Sequence, residues 1–293
     1  MKKLIISLIV IIISLLNIKA QIPLADTSQV KKFFKTTTYF VKDANIFSDF
    51  NYYISQAAKK TWTITPYKVI SYDEYKKIKN TQDKSFVMTT IIFPEKQPDL
   101  KYEFLTVLLG GYGRKLGSDG GEMPVLGAIP LRFYRNDENL YYYKLPSFLL
   151  FLQKHIDVAS KNPKFKEQNY LKYYNRNIPK LKNKTLVFSL DQIDESIRSG
   201  DIKKYYPGNI KILKQEEIQK LIEQNDTSIV FAHIVSAPIH EVEEEEIKGY
   251  CYKMLFDTKG NLYYFDWHKL NKAQVNVFSK QNFIKLGKKI AKK

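Results

Sequence analysis

One cysteine, Cys251, stands in a chain of 293 residues. It has no internal partner, so even in an oxidising compartment the fold must be held by its core rather than by bridges. Arginine is scarce too. Only five of the 47 cations are arginine (Arg114, Arg132, Arg135, Arg176 and Arg198), although the formal net charge is +17. Arginine reads phosphates and base edges bidentately, whereas lysine acts as a point charge. The charge therefore argues against specific nucleic-acid recognition and suits attraction to an anionic surface component. No HExxH and no paired cysteines occur, so no strong metal motif is present and nothing calls for a cofactor.

The first twenty residues, MKKLIISLIVIIISLLNIKA, place two lysines before an apolar run from Leu4 to Leu16 and end in a small residue, Ala20. That is the order of a secretory signal peptide (1–20), and the run is shorter than the roughly 17 to 25 residues that cross a bilayer. No later run reaches that length, so the mature chain is expected to carry no transmembrane segment and to be exported, periplasmic or extracellular. Loss of Lys2, Lys3 and Lys19 lowers the charge to +14. With 44% hydrophobic and 14% aromatic residues, the remainder is rich enough in apolar side chains for packed cores.

An internal duplication organises the chain. Residues 67–93, YKVISYDEYKKIKNTQDKSFVMTTIIF, align without a gap on residues 210–236, IKILKQEEIQKLIEQNDTSIVFAHIVS, at an offset of 143. Lys68 matches Lys211, Glu74 Glu217, Asp83 Asp226, Ser85 Ser228, Val87 Val230 and Ile91 Ile234. Upstream, TTYFV (37–41) faces KTLVF (184–188). The expected fold is α/β with mixed-sheet layers, two tandem repeats of strand-helix-strand-helix-strand plus a β-hairpin. The modules span 21–144 and 183–293, and a helical bridge, 145–182, joins them. In the first copy Ile46, Phe50, Tyr53, Ile54 and Ala57 recur at helical spacing. Ser71-Tyr72-Asp73-Glu74 reads as a capping box, and Ser189-Leu190-Asp191-Gln192 as its counterpart on a first helix ended by Gly200. Within the bridge a helix follows Pro146, and residues 164–175 suit a second short one. The last residues, QNFIKLGKKIAKK, form a basic amphipathic surface helix.

Seven of the twelve glycines lie in LLGGYGRKLGSDGGEMPVLG, residues 108–127. Gly111, Gly113 and Gly117 are not spaced as GxGxxG, and turn chemistry with Pro124 follows where a phosphate loop needs a helix. The second copy joins the matching strands by the tight turn Asp257-Thr258-Lys259-Gly260-Asn261. The glycine stretch is thus an enlarged hairpin connection, with 103–109 and 125–133 pairing antiparallel around an exposed loop, 110–122. Its Arg114, Lys115, Asp119 and Glu122 form a candidate contact surface for a partner.

The order of elements, with YKVISYDEYKKI and YCYKMLFDTKGNLYYF, resembles the small α/β modules of bacterial envelope proteins, namely the N-terminal domain of the Tol translocation protein and the curli-secretion lipoprotein. Such modules serve assembly and binding, so the resemblance implies an envelope protein as partner. This chain lacks their lipidated cysteine and carries two copies.

His233, His240, Glu241 and His268 form the candidate polar site, with His233 set in an apolar strand beside Ile229, Phe231 and Val235. Cys251 alternates with Tyr250 and Tyr252 and reads as a small buried filler. The run Glu241 to Glu246 lacks the ligand spacing of an EF-hand. Two functions stay open: a non-enzymatic exported binding or assembly protein, and a secreted hydrolase whose site lies between the modules.

Overall fold

The computed structural model describes residues 24–93, 100–111, 123–134, 141–162, 170–197, 201–237, 249–270 and 276–291. The first repeat contains α1 (Thr27–Phe33), β1 (Thr37–Val41), α2 (Phe50–Thr61), β2 (Tyr67–Ile70), α3 (Tyr72–Ile78), β3 (Lys84–Ile92), β4 (Tyr102–Leu109), β5 (Val125–Phe133) and, after a 3-10 turn at Tyr142–Lys144, α4 (Leu145–Lys161). The second opens with a long 3-10 helix (Tyr170–Asn183) and continues through β6 (Thr185–Phe188), α5 (Ile202–Tyr205), β7 (Asn209–Ile212), α6 (Gln215–Glu223), β8 (Ile229–Ser236), β9 (Tyr250–Asp257), β10 (Leu262–Lys269) and α7 (Lys280–Ala291). The sheets run β2-β1-β3-β4-β5 and β7-β6-β8-β9-β10, one order in both. In each, three parallel strands carry an antiparallel hairpin. Among the described residues no helix is long and apolar enough to cross a membrane.

Local sequence accounts for many of these boundaries. The Ser71 hydroxyl accepts from Glu74 N (3.2 Å) and the Glu74 carboxylate accepts from Ser71 N (2.7 Å), so the start of α3 is capped reciprocally. At α6, Glu217 reaches back to Lys214 N in the same way (2.9 Å). The β9–β10 turn is wound around Asp257, whose Oδ1 accepts from Lys259 N (3.0 Å) and Asn261 N (2.8 Å). Gly260 closes it at φ +70°, and a Cβ there would lie 2.6 Å from Phe151 N and from Ser147 O of α4. Turn conformation and close packing both require glycine.

The duplication extends beyond the strands. The segment between the modules divides, since α4 packs on α1 and α2 of the first repeat, while α7 packs on the 3-10 helix and α5 of the second. Each sheet thus has one helix before its first strand and one after its last. Three expectations need correction. Pairing sets Phe40 beside Val87 and Leu186 beside Val230, so β1 and β6 correspond one residue away from the match of TTYFV with KTLVF. Helix α2 starts at Phe50, which leaves Ile46 in the preceding loop at 79% exposure and Tyr53 half out of the core. The first helix of the second copy is not continuous: 3-10 turns at Leu190–Gln192 and Glu195–Ile197 precede the single turn of α5. Gly200 lies outside the described residues. There the Gln192 side chain does accept from Ser189 N (3.2 Å), but Phe278, Phe283 and Leu286 of the C-terminal segment occupy the layer against Phe188 and Tyr206. The basic tail is therefore a surface helix with one face sunk into the core.

One apolar cluster joins both repeats. Phe148 and Phe151 of α4 pack on Phe256 of β9, with centroids 5.2 and 5.5 Å apart, and Phe104 of β4 meets Tyr252 at 5.7 Å. Edge strands are sealed by side chains. The Tyr170 hydroxyl accepts from Ala128 N and donates to Ala128 O on β5 (both 2.8 Å). Asn175 bonds Phe265 N and O on β10 (2.7 and 2.9 Å). Satisfying these groups removes two templates for unwanted strand addition.

Candidate functional site

The glycine-stretch strands pair as expected, β4 antiparallel to β5. Gly110 and Gly111 belong to the framework rather than to an exposed loop, since their N–H groups donate to Lys84 O (2.9 Å) and Lys79 O (3.2 Å). Arg114, Lys115, Asp119 and Glu122 lie outside the described residues, as do His240 and Glu241.

His233 is buried at 3% exposure between the repeats. Its Nε2 lies 3.0 Å from Pro130 O on β5, and a carbonyl only accepts, so Nε2 carries the proton of a neutral ring. Its face rests against Phe148 at 4.8 Å. Burial, then the nearby Lys144 charge, holds its pKa well below the ordinary 6.5. His233 therefore satisfies an edge carbonyl and links the two sheets.

Lys144 sits beside it, 3% exposed, with Nζ 3.5 Å from Ala232 O. Burial pulls its pKa down to about 7, against a small opposing effect of Asp191. The sequence reading missed this lysine. The run Tyr141-Tyr142-Tyr143 before it signals a segment drawn into the core, and all three tyrosines are buried.

Strand register brings His268 opposite Cys251, with Ser236 on the other flank. A cysteine-histidine pair invites a nucleophilic reading. Burial, however, pushes the Cys251 thiol up to about 11, outweighing Lys253 and the Ser236 hydrogen bond. It stays protonated at neutral pH, as inert structural cysteines do. Nearby, Lys253 is 2% exposed and faces Asp266 across the strands. Its Nζ reaches Asn282 Oδ1 (3.2 Å), Asn282 donates to the Tyr264 hydroxyl (2.9 Å), and that hydroxyl donates to Asp266 (3.0 Å). This chain of bonds pins α7 to its sheet. The equivalent position of the first sheet holds the opposite arrangement, Glu103 facing Arg132 with Nε to Oε2 at 2.5 Å.

Two clefts open between the repeats. One, of about 610 Å3, is lined by Phe34, Ile64, Gln153, Asp157, Lys180 and Tyr263. At its side Lys154 Nζ donates to Lys259 O (2.8 Å) and Asn261 Oδ1 (2.7 Å). The other, of about 490 Å3, runs along α2 past Tyr53, Gln56 and Lys60 to Tyr142, Ile222 and Lys259. Neither His233 nor His268 lines either cleft. Among the described residues no group of three His, Cys, Asp or Glu side chains could hold a metal ion.

Comparison with protein-family models, with curated proteins and with solved structures finds no match.

Proposed function

We propose that this is an exported, non-enzymatic protein of the bacterial envelope that acts in binding or assembly through two fused α/β modules. The observation that carries the proposal is the placement of His233. Of the residues that a hydrolase between the modules could use, namely His233, His240, Glu241 and those of the glycine stretch, His233 is committed to Pro130 O, in the neutral state and away from both clefts. Support comes also from the signal-like N-terminus, from the resemblance to envelope assembly modules and from the protonated Cys251. On this reading the connection bearing Arg114, Lys115, Asp119 and Glu122 contacts an envelope protein or an anionic surface component.

The test replaces residues 112–122 by the five-residue turn Asp-Thr-Lys-Gly-Asn, keeping the anchored Gly110 and Gly111. Capture of a defined envelope component by the native protein, lost in the shortened form at an unchanged thermal midpoint, is the expected outcome. Turnover of ester, peptide or glycoside substrates that disappears in His240→Gln or Glu241→Gln at an unchanged thermal midpoint would establish the hydrolase instead.

A further inference from the structure

The loop before α2 presents apolar side chains to solvent on a fixed scaffold. Ile46 is 79% exposed and Phe47 86%, and Tyr52 in the first turn of α2 is 63% exposed. Single exposed apolar residues are ordinary, but adjacent ones held in place mark an interaction site. Here the backbone is held by side chains. Asp43 N donates to Asn51 Oδ1 (2.6 Å), Asn45 N to Asp43 Oδ1 (2.8 Å), Phe47 N to Asn45 Oδ1 (3.1 Å), and Asn51 Nδ2 to Asn45 O (2.9 Å). A preorganised loop loses little entropy when it docks.

The receptor for such a wedge lies on the same helix. Tyr53, Gln56, Ala57, Lys60 and Thr61 form one stripe of α2 at helical spacing, and that stripe is a wall of the 490 Å3 cleft. Leu150 and Ile222 supply apolar surface on its other side. Charge is divided along the helix: Asp43 and Asp49 flank the wedge at the N-terminal end, and Lys59 and Lys60 close the C-terminal end. A wedge just before α2 and a cleft along it, with opposite charge at the two ends of the helix, make a self-complementary pair. Two copies related by a two-fold axis, with their α2 helices antiparallel, would each place Ile46 and Phe47 in the other's cleft, and Asp49 against the other's Lys60. Reciprocal docking of this kind closes as a dimer and does not grow into a filament.

We propose that α2 and the loop before it form a two-fold interface with a second copy of this chain. The proposal concerns the purified protein alone, so it stands or falls separately from the envelope reading.

Sedimentation velocity over a wide range of concentration tests it. The native protein should reach a dimer. Phe47→Asp, at a fully exposed position, should keep its thermal midpoint and raise the dissociation constant by at least about tenfold. Asp49→Lys and Lys60→Asp should each weaken self-association, because every pair would then meet like charges. Mixed in equal amounts, those two variants should recover the dimer as a heterodimer, since both contacts regain opposite charges. A native protein that remains monomeric overturns the proposal. So does a dimer indifferent to Phe47→Asp, or a mixture of the two charge variants that stays monomeric. Loss of a different binding partner on Phe47→Asp, with the native protein monomeric, would assign the wedge to that partner.

Discussion

The rings of Tyr102 and Tyr252 meet edge to face with centroids 5.8 Å apart, and each holds the same place in its own sheet. Tyr102 faces Ile92 on β3, and Tyr252 faces Val235 on β8, at the 143-residue offset of the repeat. Corresponding faces of the two sheets thus meet at corresponding residues. The Tyr102 hydroxyl adds polar bonds, accepting from Tyr250 N (2.8 Å) and donating to Tyr250 O (2.9 Å).

Tyr102→Phe keeps the ring contact and removes those bonds. It should destabilise the protein by about 1–3 kcal/mol, because the partner groups lose their hydrogen bonds at a buried contact. Denaturant unfolding should show a lower midpoint at unchanged slope. An unaltered midpoint would mean that water replaces the hydroxyl freely and that the repeats are not sealed at this point.

The buried pair Glu103 and Arg132 gives a sharper contrast. Arg132→Met takes the guanidinium away from a carboxylate at 7% side-chain exposure, and should cost up to about 3–5 kcal/mol. The double change Glu103→Leu with Arg132→Met should recover most of that loss, since it removes the buried carboxylate together with the guanidinium that faces it. If the double variant is no more stable than Arg132→Met, the charges are held by something other than each other.

Gly287→Ala separates helix propensity from packing. Alanine in a helix is favoured over glycine by about 1 kcal/mol, yet the added Cβ would stand 2.0 Å from Tyr205 O. Overpacking should win, with a net loss of about 1–3 kcal/mol and a lower thermal midpoint. A gain in stability would show that α7 does not seat on the end of α5.

Acid should weaken the fold through its buried histidines. Burial lowers the pKa of His155 from 6.5 to about 3 and that of His233 well below 6.5. Below pH 6.5 the unfolded chain therefore binds more protons than the folded one. The contribution of both is complete above about pH 6.5 and falls away below it, for His155 down to about pH 3. Lys144, lowered from 10.5 to about 7, exerts its effect above that window. His155→Gln, which can still meet the Tyr174 hydroxyl 2.9 Å from His155 Nδ1, should flatten the dependence of urea midpoint on pH between 6.5 and 4. An unchanged slope would assign the acid sensitivity to other groups.

Repetition was the most legible property of the sequence, because apolar positions on β3 and β8 recur at constant offset and both sheets follow from them. The short strands β1 and β6 were misaligned by one residue, since four or five apolar residues carry little register information. The broken first helix of the second repeat could not be read locally. Its capping residues are present, and what displaces the helix is Phe278 and Phe283, about ninety residues away. The candidate site shows the same divide. Burial of His233 and Cys251 was readable from their apolar neighbours. The bond of His233 to Pro130, across 103 residues, was not, nor was the collection of α2, the Tyr142 turn and the β9–β10 turn into one cleft.

The side chains that seal the two hairpin edges differ in when they become available. Tyr170 follows Ala128 by 42 residues, so a chain emerging from its N-terminus exposes the finished edge of β5 before its cover exists. Asn175 precedes Phe265 by 90 residues, so β10 arrives to find its cover already made. Vectorial synthesis thus leaves the first sheet transiently adhesive and the second protected from the outset. A holding factor that attends the nascent chain would have its work at the first repeat, in the interval before residue 170 appears.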